Sequence, residues 1–290
     1  MTYSIIGRDP ETGAVGGAVQ SKFPGVASLV LHGDARCGIV HTQAFGNPDH
    51  GEDGLELLRL GLDPAGVIGV LSNKDDDDHC RQIAVMGLNG AKAHFTGKSI
   101  ATWRGESGGA EGENSVAIGN SLTNDRVLDA MIERFETGTG DLAERLVSAL
   151  AAGRDAGGEM RGQQAAGVLV VKAGTAYAGR AGRLVDIQIY DHLQPIEELA
   201  RCYRLHKLSF FPSNESDVVP IDAGTAAYLK RLLSRTGLLS RPSEGAEWKE
   251  AEIAAMARFM GEENYDNRIR DDARIDLEVL ADIRTKHPEA

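Results

Sequence analysis

The sequence contains no run of 18 uncharged apolar residues, and Arg8 and Asp9 precede any apolar stretch long enough for a signal peptide. We therefore expect no membrane partner and a protein that stays in the cytoplasm. Basic residues are also outnumbered, with 31 Lys and Arg against 43 Asp and Glu and a net charge of −12. Because a field of this sign repels phosphate backbones, nucleic acid is not an expected partner.

Cysteine is scarce, whereas glycine is abundant. The three cysteines, Cys37, Cys80 and Cys202, are far apart and have no C-x-x-C spacing, which argues against a zinc site or a redox pair. Apolar residues make up 42% and charged residues 26% of the chain, as in ordinary soluble globular proteins. The 35 glycines among 290 residues exceed the usual share of about 7% and indicate many tight turns, as in a compact sheet protein.

Alternating apolar runs and turn residues predict strands in antiparallel groups, separated by pairs of helices. The predicted strands are Tyr3–Arg8, Ala14–Ser21, Val26–Leu31, Gly38–Ala44, Gln82–Leu88, Ala91–Thr96, Ser115–Gly119, Gln164–Lys172, Thr175–Gly179 and Leu184–Tyr190. Helices are predicted around Leu55–Leu60, from the Asp63-Pro64 start, over Val127–Phe135, from the Asp141/Glu144 capping box, and from Pro195 to Leu205. This order predicts an α+β domain in which helices cover the outer faces of two sheets.

The C-terminal part of the chain has a different pattern. Prolines and polar residues predict a linker at 209–221, which separates a first domain at 1–208 from a second domain at 222–290. The second domain is predicted to contain helices only, at Ala223–Arg235, Glu247–Met260 and Ile275–Thr285.

Thr2 has the most suggestive position for chemistry. Removal of methionine before a small residue would make Thr2 the free terminus, so that its hydroxyl could attack an acyl carbon while its own α-amine takes the proton. An α-amine has a pKa of about 7.7–8.0, which suits a base at neutral pH. The alternative is that Thr2 is an ordinary second residue, blocked by a retained Met1.

Other polar residues at strand ends could surround such a nucleophile. Lys22 follows the second strand, where a cation could lower the pKa of a nearby hydroxyl or amine, and the Asn120 amide could donate to an oxyanion. His41, Thr42 and Gln43 lie late in the fourth strand. Lys22 can equally be a solvated strand end and Asn120 a turn residue, and for His41 we favour a hydrogen-bonded histidine within the sheet.

A polar, glycine-rich loop leads into the strand that begins at Gln164. It contains Arg161, Gln163 and Gln164, which could bind a carboxylate on a substrate. The loop matches no phosphate-binding signature, and a plain surface turn is the alternative.

Two acidic segments with histidines have other simple interpretations. Asp75–Asp78 is followed by His79, with His50 nearby in sequence, but the spacing fits neither a calcium loop nor a zinc site. We favour a hydrated loop there. For Asp191 and His192, ahead of the helix at Pro195, we favour capping or surface packing over an acid–imidazole pair.

Several motifs in this order resemble the bacterial "domain of unknown function 1028" family. They are M-T-Y-S-I-I-G-R-D-P-E-T-G-A-V-G at the start, H-T-Q-A-F-G-N-P from His41 to Pro48, R-G-Q-Q-A-A-G from Arg161 to Gly167, and D-H-L-Q-P-I-E-E-L from Asp191 to Leu199. The resemblance covers residues 1–206. The tail, with Trp248, F-M-G-E-E-N-Y-D-N-R at Phe259–Arg268 and a further helix, resembles a small helical module named for peptidoglycan binding that is often appended to this family.

The resemblance implies a fold of the N-terminal-nucleophile (Ntn) hydrolase kind, a four-layer αββα sandwich, here with a small C-terminal helical domain. It also implies Thr2 as the nucleophile, with Ser21, Lys22 and Thr42 as neighbours and Asn120 as an oxyanion donor. Fold alone does not establish function.

The preferred hypothesis is an amidohydrolase that cleaves a small or peptide-like amide by acyl transfer to Thr2, without a metal or organic cofactor. Its catalytic residues would be Thr2, Lys22 and Asn120, and its substrate-binding residues Ser21, Thr42, Gln43, Arg161, Gln163 and Gln164. The alternative is a non-catalytic ligand-binding or scaffold protein on the same fold. A metal-dependent hydrolase that uses His50, His79 and the aspartates is a third option. We also expect a homo-oligomer, specifically a dimer.

Overall fold

Asp9 organises the first turn of the chain. Its carboxylate accepts a hydrogen bond from the Thr12 hydroxyl at 2.6 Å, as expected of an aspartate that begins a turn. The turn joins β1 (Thr2–Arg8) and β2 (Val15–Ser21) as an antiparallel pair. The predicted hairpin is therefore confirmed.

A computed structural model describes residues 1–175 and 182–288 of the chain. The further strands are β3 (Leu31–Asp34), β4 (Gly38–Ala44), β5 (Arg81–Gly87), β6 (Lys92–Thr96), β7 (Glu106–Glu111), β8 (Ser115–Leu122), β9 (Ala165–Val171), β10 (Arg183–Ile189), β11 (Val218–Pro220) and β12 (Arg274–Asp276). The helices are α1 (Val26–Val30), α2 (Asp49–Arg59), α3 (Pro64–Asn73), α4 (Arg126–Thr137), α5 (Leu142–Asp155), α6 (Pro195–Phe210), α7 (Ala223–Arg235), α8 (Glu250–Glu262) and α9 (Leu277–Lys286).

Two antiparallel sheets dominate the first part of the chain. One has six strands in the order β10-β9-β2-β1-β8-β7, and the other has four in the order β3-β4-β5-β6. Helices α4 and α5 contact the six-stranded sheet, and α2 and α3 contact the four-stranded sheet. The chain is thus a mixed α and β protein with antiparallel sheets, as predicted.

Both sheets contribute to one apolar cluster. Ile6 from β1 lies there with Ile39 and Met86 from the four-stranded sheet, all fully buried. Full burial of such a side chain contributes about 1.5–3 kcal/mol. Because alternate residues of a strand share a face, Thr2 and Ser4 face the four-stranded sheet together with Ile6.

Capping residues define two helix starts that the sequence predicted. The Asp63 carboxylate accepts from the Gly66 backbone at 2.7 Å, with Pro64 as the first residue of α3. Asp141 and Glu144 make both hydrogen bonds of a capping box at the start of α5. Both predictions are confirmed, and each cap contributes about 1 kcal/mol.

The predicted strand Val26–Leu31 is wrong, because its first five residues form the short helix α1. Val26, Ala27 and Val30 are buried and share one helical face against β2 and β9. Gly25 precedes them with a φ of 63°, a left-handed conformation that suits glycine. The β-branched residues favoured a strand locally, but tertiary packing determined the outcome.

In the first part of the chain, two of the described strands were not predicted, β3 and β7. The sequence of β7, E-S-G-G-A-E, has little strand propensity, and β7 lies at the edge of its sheet, where it pairs with β8. The predicted strand Thr175–Gly179 lies, apart from Thr175, outside the described residues.

The chain divides into two compact units, Met1–Tyr203 and Arg204–Ala290. The prediction of helices alone in the second unit is wrong, because β11 and β12 pair as a small sheet. Asp276 ends β12 and caps α9 through the Glu278 backbone, so this helix begins at Leu277 rather than at Ile275.

The segment 209–221, predicted as a linker, contains β11. No helix in the described part of the chain is long and apolar enough to cross a membrane.

Candidate functional site

Thr2 begins β1 and is only 6% exposed. Its partners in the strand register are Ser21 of β2 and Asn120 of β8. Because directly opposed residues in a sheet project from the same face, these three polar side chains lie together on the face toward the four-stranded sheet. The structure therefore brings three of the predicted site residues together.

A chain of hydrogen bonds leads from Thr2 to the preceding peptide group. Thr2 Oγ1 donates to Ser21 Oγ at 3.1 Å, and Ser21 Oγ donates to the Met1 carbonyl oxygen at 2.7 Å. Arg161 Nη2 donates to the same carbonyl oxygen at 3.1 Å. We call Ser21 Oγ and Arg161 Nη2 the carbonyl clamp, since both donors converge on the carbonyl next to Thr2.

Glu159 holds Arg161 in this position. Its side chain is fully buried, Oε1 accepts from Arg161 Nε at 2.6 Å, and Oε2 accepts from the Lys22 backbone at 2.7 Å. A buried carboxylate needs such partners, because the loss of its hydration is otherwise costly. Glu159 therefore ties the glycine-rich loop to the end of β2.

The other predicted residues of this region have different contacts. The exposed side chain of Lys22 donates through Nζ to the Gln163 carbonyl at 3.0 Å, rather than to Thr2. The Gln164 side chain donates to Asp191 Oδ1 at 3.0 Å. Lys22 and Gln164 thus stabilise the loop, and the structure does not bring their side-chain nitrogens to the nucleophile.

Neighbouring residues of β4 point in opposite directions. Gln43 projects toward Thr2, since its Nε2 donates to the Thr2 carbonyl at 3.4 Å and its Oε1 accepts from Ser4 Oγ at 2.7 Å. Thr42 faces the other side, where its Oγ1 accepts from the Asn47 backbone at 3.2 Å. This geometry does not support the predicted substrate-binding role of Thr42 beside Thr2, because the two-residue period of a strand turns its side chain to the other face.

His41 lies fully buried between the sheets. Its Nδ1 is 3.0 Å from Ser4 Oγ, whose own proton goes to Gln43, so Nδ1 is the donor in this contact. Burial lowers the pKa of His41 to about 3. The interpretation as a hydrogen-bonded sheet histidine is confirmed, although Nε2 is buried without a partner in the described residues.

Gln82 of β5 connects the two sheets and was missed in the sequence. Its Oε1 accepts from Gln43 Nε2 at 2.9 Å and from Asn120 Nδ2 at 3.0 Å. The acceptors of its own amide nitrogen are Thr96 Oγ1, the Gly108 carbonyl and the Gly119 carbonyl. Among the described residues the Asn120 amide donates to Gln82, whereas the donors to the Met1 carbonyl are Ser21 and Arg161, so this geometry does not support its predicted role as an oxyanion donor.

Ser4 and Glu159 were also missed, and the sequence held only weak signals for these two residues and for Gln82. Ser4 follows Thr2 at the two-residue spacing of one strand face. Glu159 is the carboxylate within the glycine-rich loop. Gln82 stands at the second position of a strand whose next four residues are apolar, where a buried polar side chain needs a partner.

Two other polar clusters form structural contacts. His50 Nε2 is 3.2 Å from Asp75 Oδ2, which also accepts from Arg81 Nε at 2.7 Å, so this aspartate is a largely buried ion-pair partner. The loop between α3 and β5 that contains it exposes Asp76 and Asp77, in line with the expected hydrated loop. His192 Nδ1 accepts from the Gln194 backbone in the turn before α6, so its contact is local and structural. Among the described residues, no group of three His, Cys, Asp or Glu side chains is arranged to hold a metal ion.

A cavity of about 550 Å³ lies next to β3 and α2. Arg36 and Arg59 line it, and both are paired with Asp34. None of the predicted site residues contributes to its lining.

Residues 2–199 match the model described as "Family of unknown function (DUF1028)", and residues 210–282 match one described as "Putative peptidoglycan binding domain". A crystal structure of a DUF1028 protein from Silicibacter pomeroyi is 32% identical with a TM-score of 0.65, and the match covers 71% of this chain and 86% of that one. Anbu (ancestral beta-subunit) from Yersinia bercovieri is 10% identical with a TM-score of 0.35, over 69% of this chain and 92% of that one. No curated protein matches the chain.

The chain therefore belongs to this family of unknown function, followed by a second region that matches the peptidoglycan-binding model. The resemblance seen in the sequence is confirmed for both regions.

Proposed function

We propose that the protein is an Ntn amidohydrolase that cleaves a small or peptide-like amide by acyl transfer to Thr2, once the residue before Thr2 has been removed. The observation that carries this proposal is the carbonyl clamp, whose donors lie 2.7 Å and 3.1 Å from the carbonyl oxygen next to Thr2. Two donors on a carbonyl beside a hydroxyl are suited to stabilise the oxyanion of acyl transfer. Without Met1, the same donors would be free for the carbonyl of a substrate.

The proposed reaction has two steps. Thr2 Oγ1 attacks the acyl carbon and gives its proton to the Thr2 α-amine, then the C–N bond breaks and the leaving amine takes that proton. A water molecule next attacks the Thr2 ester, which releases the acid and restores the hydroxyl. The Arg161 guanidinium faces the carbonyl oxygen, where negative charge develops in both steps.

The environment of the α-amine supports a neutral base. At Met1, burial and the positive charge of Arg161 lower the pKa of the α-amine, while Glu159 raises it. An amine at the adjoining residue faces the same two charges. A lowered pKa increases the neutral fraction at pH 7, which is the form that accepts a proton.

The test uses a chain that begins at Thr2, produced by cleavage of a fusion immediately before that residue. A panel of peptide amides and N-acyl amino acids is screened for released amine. We expect Thr2→Ala to abolish turnover, and Ser21→Ala or Arg161→Met to lower kcat/KM by roughly a hundredfold, the usual effect of losing one oxyanion donor. Thr12→Ala, in the exposed turn after β1, is the matched control and should retain full activity.

Two results would contradict the proposal. The first is full turnover by the Thr2→Ala variant. The second is equal turnover by the protein that retains Met1, because the α-amine of Thr2 is then part of a peptide bond and cannot act as a base.

A specific observation favours the second candidate, a non-catalytic ligand-binding or scaffold protein. The Asn120 amide donates to Gln82 and the Lys22 ammonium donates to Gln163, so two of the three predicted catalytic groups already have protein partners. Thermal stabilisation by a metabolite that is not consumed, together with an inert Thr2, would support this candidate instead.

The proposal includes three expectations that accompany the Ntn assignment. One is the four-layer αββα sandwich, which the helix contacts on both sheets support. The others are a cytoplasmic location and a homodimer, and light scattering of the purified chain tests the dimer directly.

A further inference from the structure

Hydrogen bonds determine which end of the Gln82 amide faces Asn120. The nitrogen of Gln82 has three acceptors, Thr96 Oγ1 and the carbonyl oxygens of Gly108 and Gly119, at 2.8–3.1 Å. Two of these three are backbone carbonyls, which can only accept. The amide oxygen of Gln82 must therefore be the atom that faces Asn120.

This orientation in turn determines the orientation of Asn120. Only its nitrogen can donate to Gln82 Oε1, at 3.0 Å, so Asn120 Oδ1 points elsewhere. Asn120 is 0% exposed, and its Oδ1 is a buried acceptor without a partner in the described part of the chain. Such an atom is costly to leave unsatisfied, and its presence at a site points to a missing donor.

The strand register points to Thr2 as that donor. Asn120 stands directly opposite Thr2 in the register of β1 and β8, a pairing that brings Cβ atoms within about 4.5–5.5 Å of each other. The Thr2 hydroxyl already donates to Ser21 at 3.1 Å. An α-ammonium at Thr2 would add donors that need acceptors on this face.

We propose that Asn120 is a positioning residue whose Oδ1 accepts a hydrogen bond from the α-ammonium of Thr2 in the processed protein. This inference rests on the proposed function, because the ammonium exists only when Thr2 is the first residue. It replaces the predicted oxyanion-donor role of Asn120 with the opposite hydrogen-bonding role, that of an acceptor.

An acceptor at this position stabilises the charged form of the amine and raises its pKa. Among the described residues, the charged or titratable groups on the elements next to Thr2 are Glu159 and Arg161 on the loop before β9, Lys22 after β2, whose ammonium donates to Gln163, and His41 on β4. All four remain unchanged in variants of residue 120. A change in the amine pKa between such variants therefore reports on residue 120 itself.

Asn120→Asp and Asn120→Leu form a matched pair for the test. Both lose the amide donor to Gln82, but only aspartate keeps an acceptor toward Thr2. The proteins begin at Thr2, and the rate of α-amine acetylation by acetic anhydride is measured from pH 5 to 9 by mass spectrometry of the N-terminal peptide.

We expect the pKa of the amine to be lower in the leucine variant than in the wild type, with roughly a three- to tenfold larger neutral fraction below that pKa. The aspartate variant should have a pKa equal to or above that of the wild type. Any other order of the three pKa values would overturn the inference.

If neither variant folds, a crystal structure of the wild-type chain beginning at Thr2 decides the matter. The inference requires Asn120 Oδ1 within about 3.2 Å of the Thr2 nitrogen, and a distance beyond about 4 Å overturns it. Neither experiment depends on turnover. A protein that hydrolyses no amide but shows the expected order would therefore refute only the proposed function.

Discussion

Replacement of Gln82 by methionine tests the polar network between the sheets. Methionine has a similar length, so the substitution removes hydrogen bonds with little change in volume. Gln82 Oε1 accepts from Gln43 and Asn120, and the two N–H groups of Gln82 Nε2 are shared among three acceptors. The Asn120 nitrogen, which is buried, would lose its partner.

The expected loss follows from these contacts. An orphaned buried donor costs about 1–3 kcal/mol, and each of the other lost bonds adds a smaller amount. We therefore expect Gln82→Met to lower the free energy of unfolding of the first unit by about 3–5 kcal/mol. This is a large part of the 5–15 kcal/mol typical of a domain, and it should lower the urea midpoint by about 1–2 M.

The assay is equilibrium unfolding in urea, followed by fluorescence. Trp103 lies in the first unit and Trp248 in the second, so a Trp248→Phe background makes the signal specific for the first unit. Gln20→Met is the matched control, because Gln20 is equally buried but donates one bond, of 3.4 Å, to the Gly162 carbonyl. We expect the control to lose less than about 1 kcal/mol. Equal losses in the two variants would refute the reasoning.

Three further predictions concern other contacts. Gly17→Ala should cost about 1–3 kcal/mol of stability in the same assay, since the added Cβ would clash with the buried His41 ring. Burial lowers the pKa of His41 from 6.5 to about 3, so stability should be fully present above pH 6.5 and fall toward pH 3 by up to about 1.4 kcal/mol per pH unit. Measured by urea unfolding, the free energy of unfolding should change less between pH 5 and pH 7 in His41→Asn than in the wild type. Arg268→Met should destabilise the second unit by about 3–5 kcal/mol, measured by Trp248 fluorescence, because it leaves the buried Asp276 carboxylate without its guanidinium partner at 2.9 Å.

Local signals in the sequence were sufficient for much of the fold. Turn residues at Asp9 and the capping box at Asp141 each act within a few positions, so their effects can be read without tertiary structure. The short helix α1 shows the limit of this approach. Its valines favour a strand locally, and only packing against β2 and β9 selects the helix.

The candidate site was predictable to the extent that strand register follows from the hairpin. Thr2 directly precedes the first strand of the predicted hairpin and Ser21 ends the second, so their proximity follows from that hairpin. Thr42 and Gln43 could not be distinguished, because the face that each presents depends on which sheet covers β4. Gln82 was missed because its partners come from other strands, 14 or more positions away in the sequence.

Covalent labelling of Thr2 tests the central claim most directly. The protein that begins at Thr2 is treated with a β-lactone, which acylates activated hydroxyls, and the modified residue is identified by peptide mass spectrometry. We predict an adduct on Thr2 that forms at least about tenfold more slowly in Ser21→Ala, because the carbonyl clamp then lacks one donor. An unlabelled Thr2 in the folded protein, or labelling at the same rate without Ser21, would contradict the account.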